Sequence, residues 1–319
     1  MMNPIRTGIL FTTIVSTVMM CGCKPKQPKE PEVTPTPAID TTGNDHLLFN
    51  DSKKNVGIYL DDVDTFLQLT PRPEILGWFE DWNGKPSMNK LQACGTEQIA
   101  IPFITWQPTD IDFHEILSGK HDEYITGYFE KLAMVCPKTD IFLRFAHEME
   151  LRPQYQESWY SWQGYDPQLY IDVWKHLVTI SRKINPNIKW VWSPNRADDY
   201  SIPYYPGDEY VDYVGLSVNL PSDKAPRFKD FYDFYRNERG KEVLESFGKP
   251  IIISEAAFCD GDGTAREDYF RSVFDWYRQD PSITAIVFFN YDVSDTQQYQ
   301  FTDDQDCLKI FSEGIQSLQ

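Results

Sequence analysis

The sequence predicts a (β/α)8 barrel, a closed ring of parallel strands with helices packed around it. Three observations predict it. Eight strand-like apolar runs recur along the chain and alternate with segments of helical spacing. The fourth and seventh runs carry glutamates near their C-terminal ends, which is where such a barrel keeps its reactive groups. No second domain is visible between Asp51 and Gln319, a length that suits one barrel of about 250 residues.

The 319 residues are 41% hydrophobic and 15% aromatic, enough to bury a full core. A formal charge of -18 argues against nucleic acid or an acidic membrane surface as partner, and otherwise serves solubility. Nine Trp, 18 Tyr and 20 Phe fill a core, and such a load also suits a cleft that stacks on the apolar faces of sugar rings.

Taken in order, Met1 to Gly22 reads as an export signal, with Arg6 ahead of an uncharged apolar stretch from Gly8 to Met20. That stretch is too short for a mature membrane span. It ends Met20-Cys21-Gly22-Cys23, which resembles a bacterial lipoprotein cleavage box with Cys23 as the lipidated residue; the alternative is an ordinary signal cut nearby. The proline-rich residues 23–50 are expected to form an extended tether, and residues 51–319 the barrel domain. The expected location is the bacterial cell envelope, held by an N-terminal lipid anchor. Lys24 rather than Asp after Cys23 points to the outer membrane.

The strand-like runs are Val56 to Leu60, Ile75 to Trp82, Gln98 to Trp106, Ile141 to Met149, Ile188 to Asn195, Val211 to Asn219, Pro250 to Phe258 and Ile283 to Tyr291. Continuous apolar runs of this kind belong to strands covered on both faces. Helical spacing is clearest at Tyr124 to Val135, Tyr170 to Ile184 and Arg266 to Gln279. Beyond the signal, Cys94, Cys136, Cys259 and Cys307 allow three disulfide connectivities or four buried thiols. No C-x-x-C pair supports a metal or redox site, and no cofactor is expected.

The chemistry resides in Glu148 and Glu255, which lie near the C-terminal ends of the fourth and seventh runs and so face each other across the barrel mouth. Two carboxyls across a cleft suit glycoside hydrolysis, one protonating the leaving oxygen and the other attacking or activating water. A lone glutamate after a strand is more often a helix cap or ion-pair partner. Two at these positions are harder to explain that way.

Five segments make the chain resemble glycoside hydrolase family 26. They are Arg144-Phe145-Ala146-His147-Glu148-Met149, Trp159-Tyr160-Ser161-Trp162, Trp190-Val191-Trp192-Ser193-Pro194-Asn195, Tyr205 to Leu216, and Lys249 to Glu255. The resemblance runs from about Val56 to Tyr291 and implies a retaining enzyme acting on a β-linked polysaccharide, most often β-1,4-mannan, without a cofactor. It implies Glu148 as acid/base and Glu255 as nucleophile, about 5–5.5 Å apart.

Arg144 is expected either to stabilise Glu255 or to pair elsewhere in the core, and His147 to contact a sugar hydroxyl or be structural. Trp106 and Trp162 are expected to line the cleft, with Trp192 near the end of the fifth run, and Asn195 to bond a ring hydroxyl or merely end its strand. The family pattern is departed from in three places. Residues Glu150 to Ser158 are inserted after the His-Glu-Met run, Asn219 takes the place of a strand-six tyrosine, and Phe288-Phe289-Asn290 replaces a strand-eight tryptophan. The competing readings are a glycan-binding lipoprotein that has lost catalysis, or a lichenase, β-xylanase or exopolysaccharide hydrolase on the same barrel.

Overall fold

The computed structural model describes residues 47–151, 159–221, 227–259, 263–295 and 297–319. The export signal, Cys23, most of the tether and seven residues of the insertion lie outside the described residues. The eight strands are β1 (Asn55–Tyr59), β2 (Ile75–Asp81), β3 (Ile101–Gln107), β4 (Ile141–Phe145), β5 (Ile188–Trp192), β6 (Tyr213–Leu220), β7 (Ile251–Phe258) and β8 (Ile283–Phe288). They pair in sequence order, and β8 closes in parallel on β1. Each expected run overlaps one of these strands, with ends that differ by up to four residues.

Helices α1 (Val63–Gln68), α2 (Met88–Gly95), α3 (Phe113–Leu117), α4 (Asp122–Val135), α5 (Pro167–Ile184), α6 (Phe231–Asn237), α7 (Lys241–Ser246), α8 (Gly263–Tyr277) and α9 (Gln305–Gln316) carry the connections. The start of α5 illustrates how sequence sets the boundaries. Asp166 accepts from the amides of Gln168 and Leu169, and Pro167 occupies the first turn, where its missing N–H is no loss. Arg182 and Lys183 lie in its last turn, where cations suit the helix dipole. Among the described residues no helix is long and apolar enough to cross a membrane.

Side chains alternate along each strand, so the protein has two apolar clusters. The barrel interior holds Tyr59, Ile75, Phe103, Phe142, Val191, Tyr213, Ile252, Ala285 and Val287. The larger outer cluster fills the space between strands and helices and contains Trp78, Trp106, Trp174, Trp190 and Trp192. Leu47 to Asn50, assigned from sequence to the tether, instead meet the barrel at its floor. Leu47 bridges to Thr139, the Phe49 amide donates to Asp140 at 2.9 Å, and the Phe49 ring packs edge-on against Phe142 at 4.7 Å. Cys94, Cys136, Cys259 and Cys307 are buried free thiols.

One irregularity in the barrel decides where a carboxylate points. Between β6 and β7 the register slips: Leu216 faces Ile253, but Ser217 faces Glu255, leaving Ser254 as an extra residue. Ile252 and Ala257 both lie in the interior cluster although five residues apart, an odd spacing that regular alternation forbids. The bulge absorbs that odd residue and turns Glu255 from the outer face, where Ile251 and Ile253 lie, to the inside. Gly215 sits opposite. A Cβ there would come within 2.1 Å of the Ser254 hydroxyl, so only glycine accommodates the bulge.

Candidate active site

The mouth of the barrel is built upward from Arg144. Its side chain is fully buried and surrounded by the rings of Tyr59, Phe79 and Phe103, each about 6 Å from the guanidinium carbon. Its Nε donates to Thr105 Oγ1 at 3.0 Å, and Thr105 also meets the Tyr59 hydroxyl at 3.0 Å. Its Nη2 donates to Glu255 Oε1. The second oxygen of Glu255 accepts from Asn219 Nδ2 at 2.7 Å. Asn219 therefore makes a direct hydrogen bond to this carboxylate from the position where a tyrosine was expected. Glu255 is buried, with one cation and one amide donor against its two oxygens.

Glu148 follows β4 rather than ending it. The strand stops at Phe145, and both Ala146 and Glu148 adopt left-handed backbone, with φ of 42° and 55°. Such conformations in residues other than glycine need neighbours that hold them. Here the Ala146 amide donates to the Trp106 carbonyl at 3.1 Å and the Glu148 amide to the Ser193 carbonyl at 2.9 Å. The chain end is thus pinned between β3 and β5.

Glu148 Oε1 accepts from Asn195 Nδ2 at 3.0 Å, and Oε2 accepts from Trp159 Nε1 at 3.1 Å. Burial first, and the charge of Glu255 second, raise its pKa above the usual carboxylate value, while Ser217, Asn195 and Arg144 oppose the rise. His147 Nε2 lies 4.0 Å from Glu255 Oε1. Burial and then the Arg144 charge hold the imidazole well below its usual pKa, so it is neutral.

The turn after the insertion carries Trp159, which is half-exposed, and Tyr160. It is fastened by Gln163 Oε1, which accepts from the Trp159 and Tyr160 amides, and by Trp162 Nε1, which donates to the His147 carbonyl at 2.8 Å.

Several sequence expectations are corrected here. Trp106 is fully buried on the outer face of β3, stacked against Trp82 at 4.6 Å and Tyr128 at 4.5 Å. Trp192 likewise points outward, edge-on to Tyr205 and Phe247. Neighbouring Thr105 and Val191 occupy the inward positions, so neither tryptophan reaches the cleft. Trp162 is buried under Tyr160, its ring stacked at 4.4 Å, and supports the cleft wall without forming it.

Phe289 does point inward and meets Phe79 and Tyr291, at 6.1 and 5.5 Å. The apolar surface at the mouth is consequently Trp159, Tyr160, Phe79 and Tyr291, with Phe289 behind. Alternation along Ile75, Gly77 and Phe79 places Phe79 on the inner face. Among the described residues no group of three or more His, Cys, Asp or Glu side chains is placed to hold a metal ion.

Comparison with known proteins bears on the barrel and the family. A profile of glycosyl hydrolase family 26 matches residues 113–290. Endoglucanase H of Acetivibrio thermocellus is 30% identical over 178 residues, which cover 50% of this chain and 18% of that protein. The mannan endo-1,4-beta-mannosidase of Bacillus subtilis is 31% identical over 107 residues, covering 34% and 25%. The matched segments thus span a quarter or less of these relatives. The catalytic domain of an endo-beta-1,4-mannanase from Bacillus sp. JAMB-750 superimposes with a TM-score of 0.62 at 16% identity, covering 83% of this chain and 86% of that one. A beta-mannanase from Bacteroides ovatus gives 0.61 at 14% identity, covering 83% and 89%. At such identities the structures share the barrel fold.

Proposed function

We propose that this chain, which belongs to glycosyl hydrolase family 26, is a retaining glycosidase that cleaves a β-linked polysaccharide, with β-1,4-mannan the foremost candidate. The observation that carries the reading is the division of labour between two carboxyls at one mouth. Glu148 is buried beside a second negative charge, which favours the protonated form a general acid needs. Glu255 is met by Arg144 and Asn219, donors that suit an ionised nucleophile.

Glu255 would attack the anomeric carbon while Glu148 protonates the departing glycosidic oxygen. The glycosyl ester at Glu255 is then released by a water that Glu148, now ionised, deprotonates. Neutral His147 lies beside Glu255 and suits a hydrogen bond to a sugar hydroxyl. Trp159, Tyr160, Phe79 and Tyr291 offer apolar faces for the rings. Mannan is preferred because two mannan-degrading proteins are among the sequence relatives. An endoglucanase among them keeps β-glucan in view.

The test is product analysis on galactomannan, glucomannan, lichenan and β-1,3-xylan. The wild type should hydrolyse one of them with retained anomeric configuration, read by proton NMR at early times. Glu148→Gln should lower turnover by roughly 100- to 10,000-fold, and Glu255→Ala by at least as much, with unchanged thermal unfolding. Inversion, or undiminished turnover in either variant, would discard the assignment. Binding without product across the panel would favour a glycan-binding role instead.

The reading extends to the N-terminus. The run Met20-Cys21-Gly22-Cys23 supports cleavage before Cys23 and lipid attachment there, with the proline-rich stretch as tether to the outer membrane. Palmitate labelling and membrane fractionation of wild type beside Cys23→Ala test this. Equal labelling of both would reject it.

A further inference from the structure

Arg239 lies in the turn between α6 and α7 and touches neither carboxylate. It is buried, its guanidinium lies 4.9 Å from the Phe234 ring, and its main chain is locked on both sides. The Arg239 amide donates to the Phe234 carbonyl, and its own carbonyl accepts from the Ala197 amide at 2.9 Å. Gly240 beside it has φ of 83°, and a Cβ there would come 1.9 Å from the Ala197 carbonyl oxygen, so the turn fits only with glycine.

From this fixed base Nη1 donates to Asn195 Oδ1 and, at 3.3 Å, to the Asn195 carbonyl, while Nη2 donates to the Asn219 carbonyl at 3.3 Å. Asn195 and Asn219 are the two residues whose amides reach Glu148 and Glu255. One guanidinium therefore underlies the amide partner of each carboxylate.

We propose that Arg239 is a positioning residue that keeps the Asn195 oxygen turned away from Glu148, so that the transferable proton is not drawn to the inner carboxyl oxygen. A guanidinium only donates, so the Asn195 amide must turn its oxygen toward Arg239 and its NH2 toward Glu148. An NH2 group only donates as well. It donates to Oε1 of Glu148 and offers no acceptor there, while Oε2 accepts from Trp159 Nε1. Oε2 is the oxygen on the side of half-exposed Trp159, where a glycosidic oxygen would approach. Without Arg239 the Asn195 amide is free to flip, and its oxygen then accepts from Glu148 and draws the proton to Oε1, facing into the protein.

The inference rests on the glycosidase reading above, and its test separates the two. The probes are the polysaccharide that the wild type hydrolyses and a 2,4-dinitrophenyl β-glycoside of the same sugar, whose leaving group needs no protonation. Arg239→Met should lose about a hundredfold in kcat on the polysaccharide, the scale of a displaced reacting group, with KM little changed. Its glycosylation rate on the dinitrophenyl glycoside should stay within a few-fold of wild type. The basic limb of the kcat/KM profile should move to higher pH, because Glu148 loses a fixed donor to its charged form.

Arg239→Lys keeps the charge but lacks the fork, and should lie nearer Arg239→Met than wild type. In an Asn195→Ala background the Arg239→Met effect should shrink to a few-fold, since the two act as one unit. Equal losses on both substrates, or additive losses in the double variant, would overturn the proposal.

Should the wild type hydrolyse none of the glycans, the glycosidase reading fails first. Infrared titration of the Glu148 carboxyl, taken as a difference against Glu148→Gln, then decides the present inference alone. The carboxyl pKa should rise in Arg239→Met. An unmoved titration would overturn it. Where Arg239→Met does not fold, Arg239→Lys and Asn195→Ala carry the same comparison.

Discussion

Glu148 and Glu255 were legible in the sequence because charged residues seldom follow long apolar runs, and two such sites at the fourth and seventh strands suit one reaction. The side chains that hold them were less so. Asn195 was expected to bond a ring hydroxyl or end its strand, and Asn219 to stand in place of a tyrosine, yet each donates to a carboxylate. Arg239 carried no signal at all, since its role depends on a turn 44 residues from Asn195 and 20 from Asn219.

A third carboxyl, Glu150, lies two residues beyond Glu148 and is completely buried. Burial raises its pKa to about 8, opposed by the Arg196 amide, which donates to Oε1 at 2.7 Å. A carboxyl whose folded pKa is raised leaves the protein most stable below the ordinary pKa of 4.5, and stability is lost as pH climbs toward 8. Glu150→Gln keeps an acceptor for Arg196 and has no proton to lose. Its melting temperature should gain on that of wild type across this window, by the equivalent of a few kcal/mol at the upper end. Parallel melting curves from pH 5 to 9 would show that Glu150 stays ionised throughout.

Strand order and number followed from apolar runs alone, because a strand sheathed by helices on one face and packed inside on the other has no polar side. Which way each side chain points was missed at Trp106 and Trp192, where a count of two-residue steps from Phe103 and Val191 places both outside. The same count would have placed Glu255 outside too, wrongly, since nothing in Ile251 to Glu255 announces the bulge. The bulge is a device of two strands. Gly215→Ala should destabilise the protein by about 1–3 kcal/mol through overpacking against Ser254, and should lower turnover further by rotating Glu255. Ser254→Ala added to it should recover part of both losses, as measured by thermal unfolding and by rate on the hydrolysed glycan. Full activity in Gly215→Ala would mean that β6 yields and the bulge is not tightly held.

For the molecule as a body, the sequence's division at residue 50 falls a few residues late. Phe49 and Leu47 are too apolar to serve as tether and too near the first strand to reach solvent, so they seal the open base of the ring against Phe142 and Tyr213. The ring is thus closed below by phenylalanine and open above at two carboxylates.

That seal has a mechanical consequence. The polypeptide joins the barrel at its south pole, while the reacting groups occupy the north. Anything fastened ahead of Leu47 is fastened at the end farthest from the glutamates. A bulky polymer can approach the opening without meeting Leu47 and Phe49 on the floor.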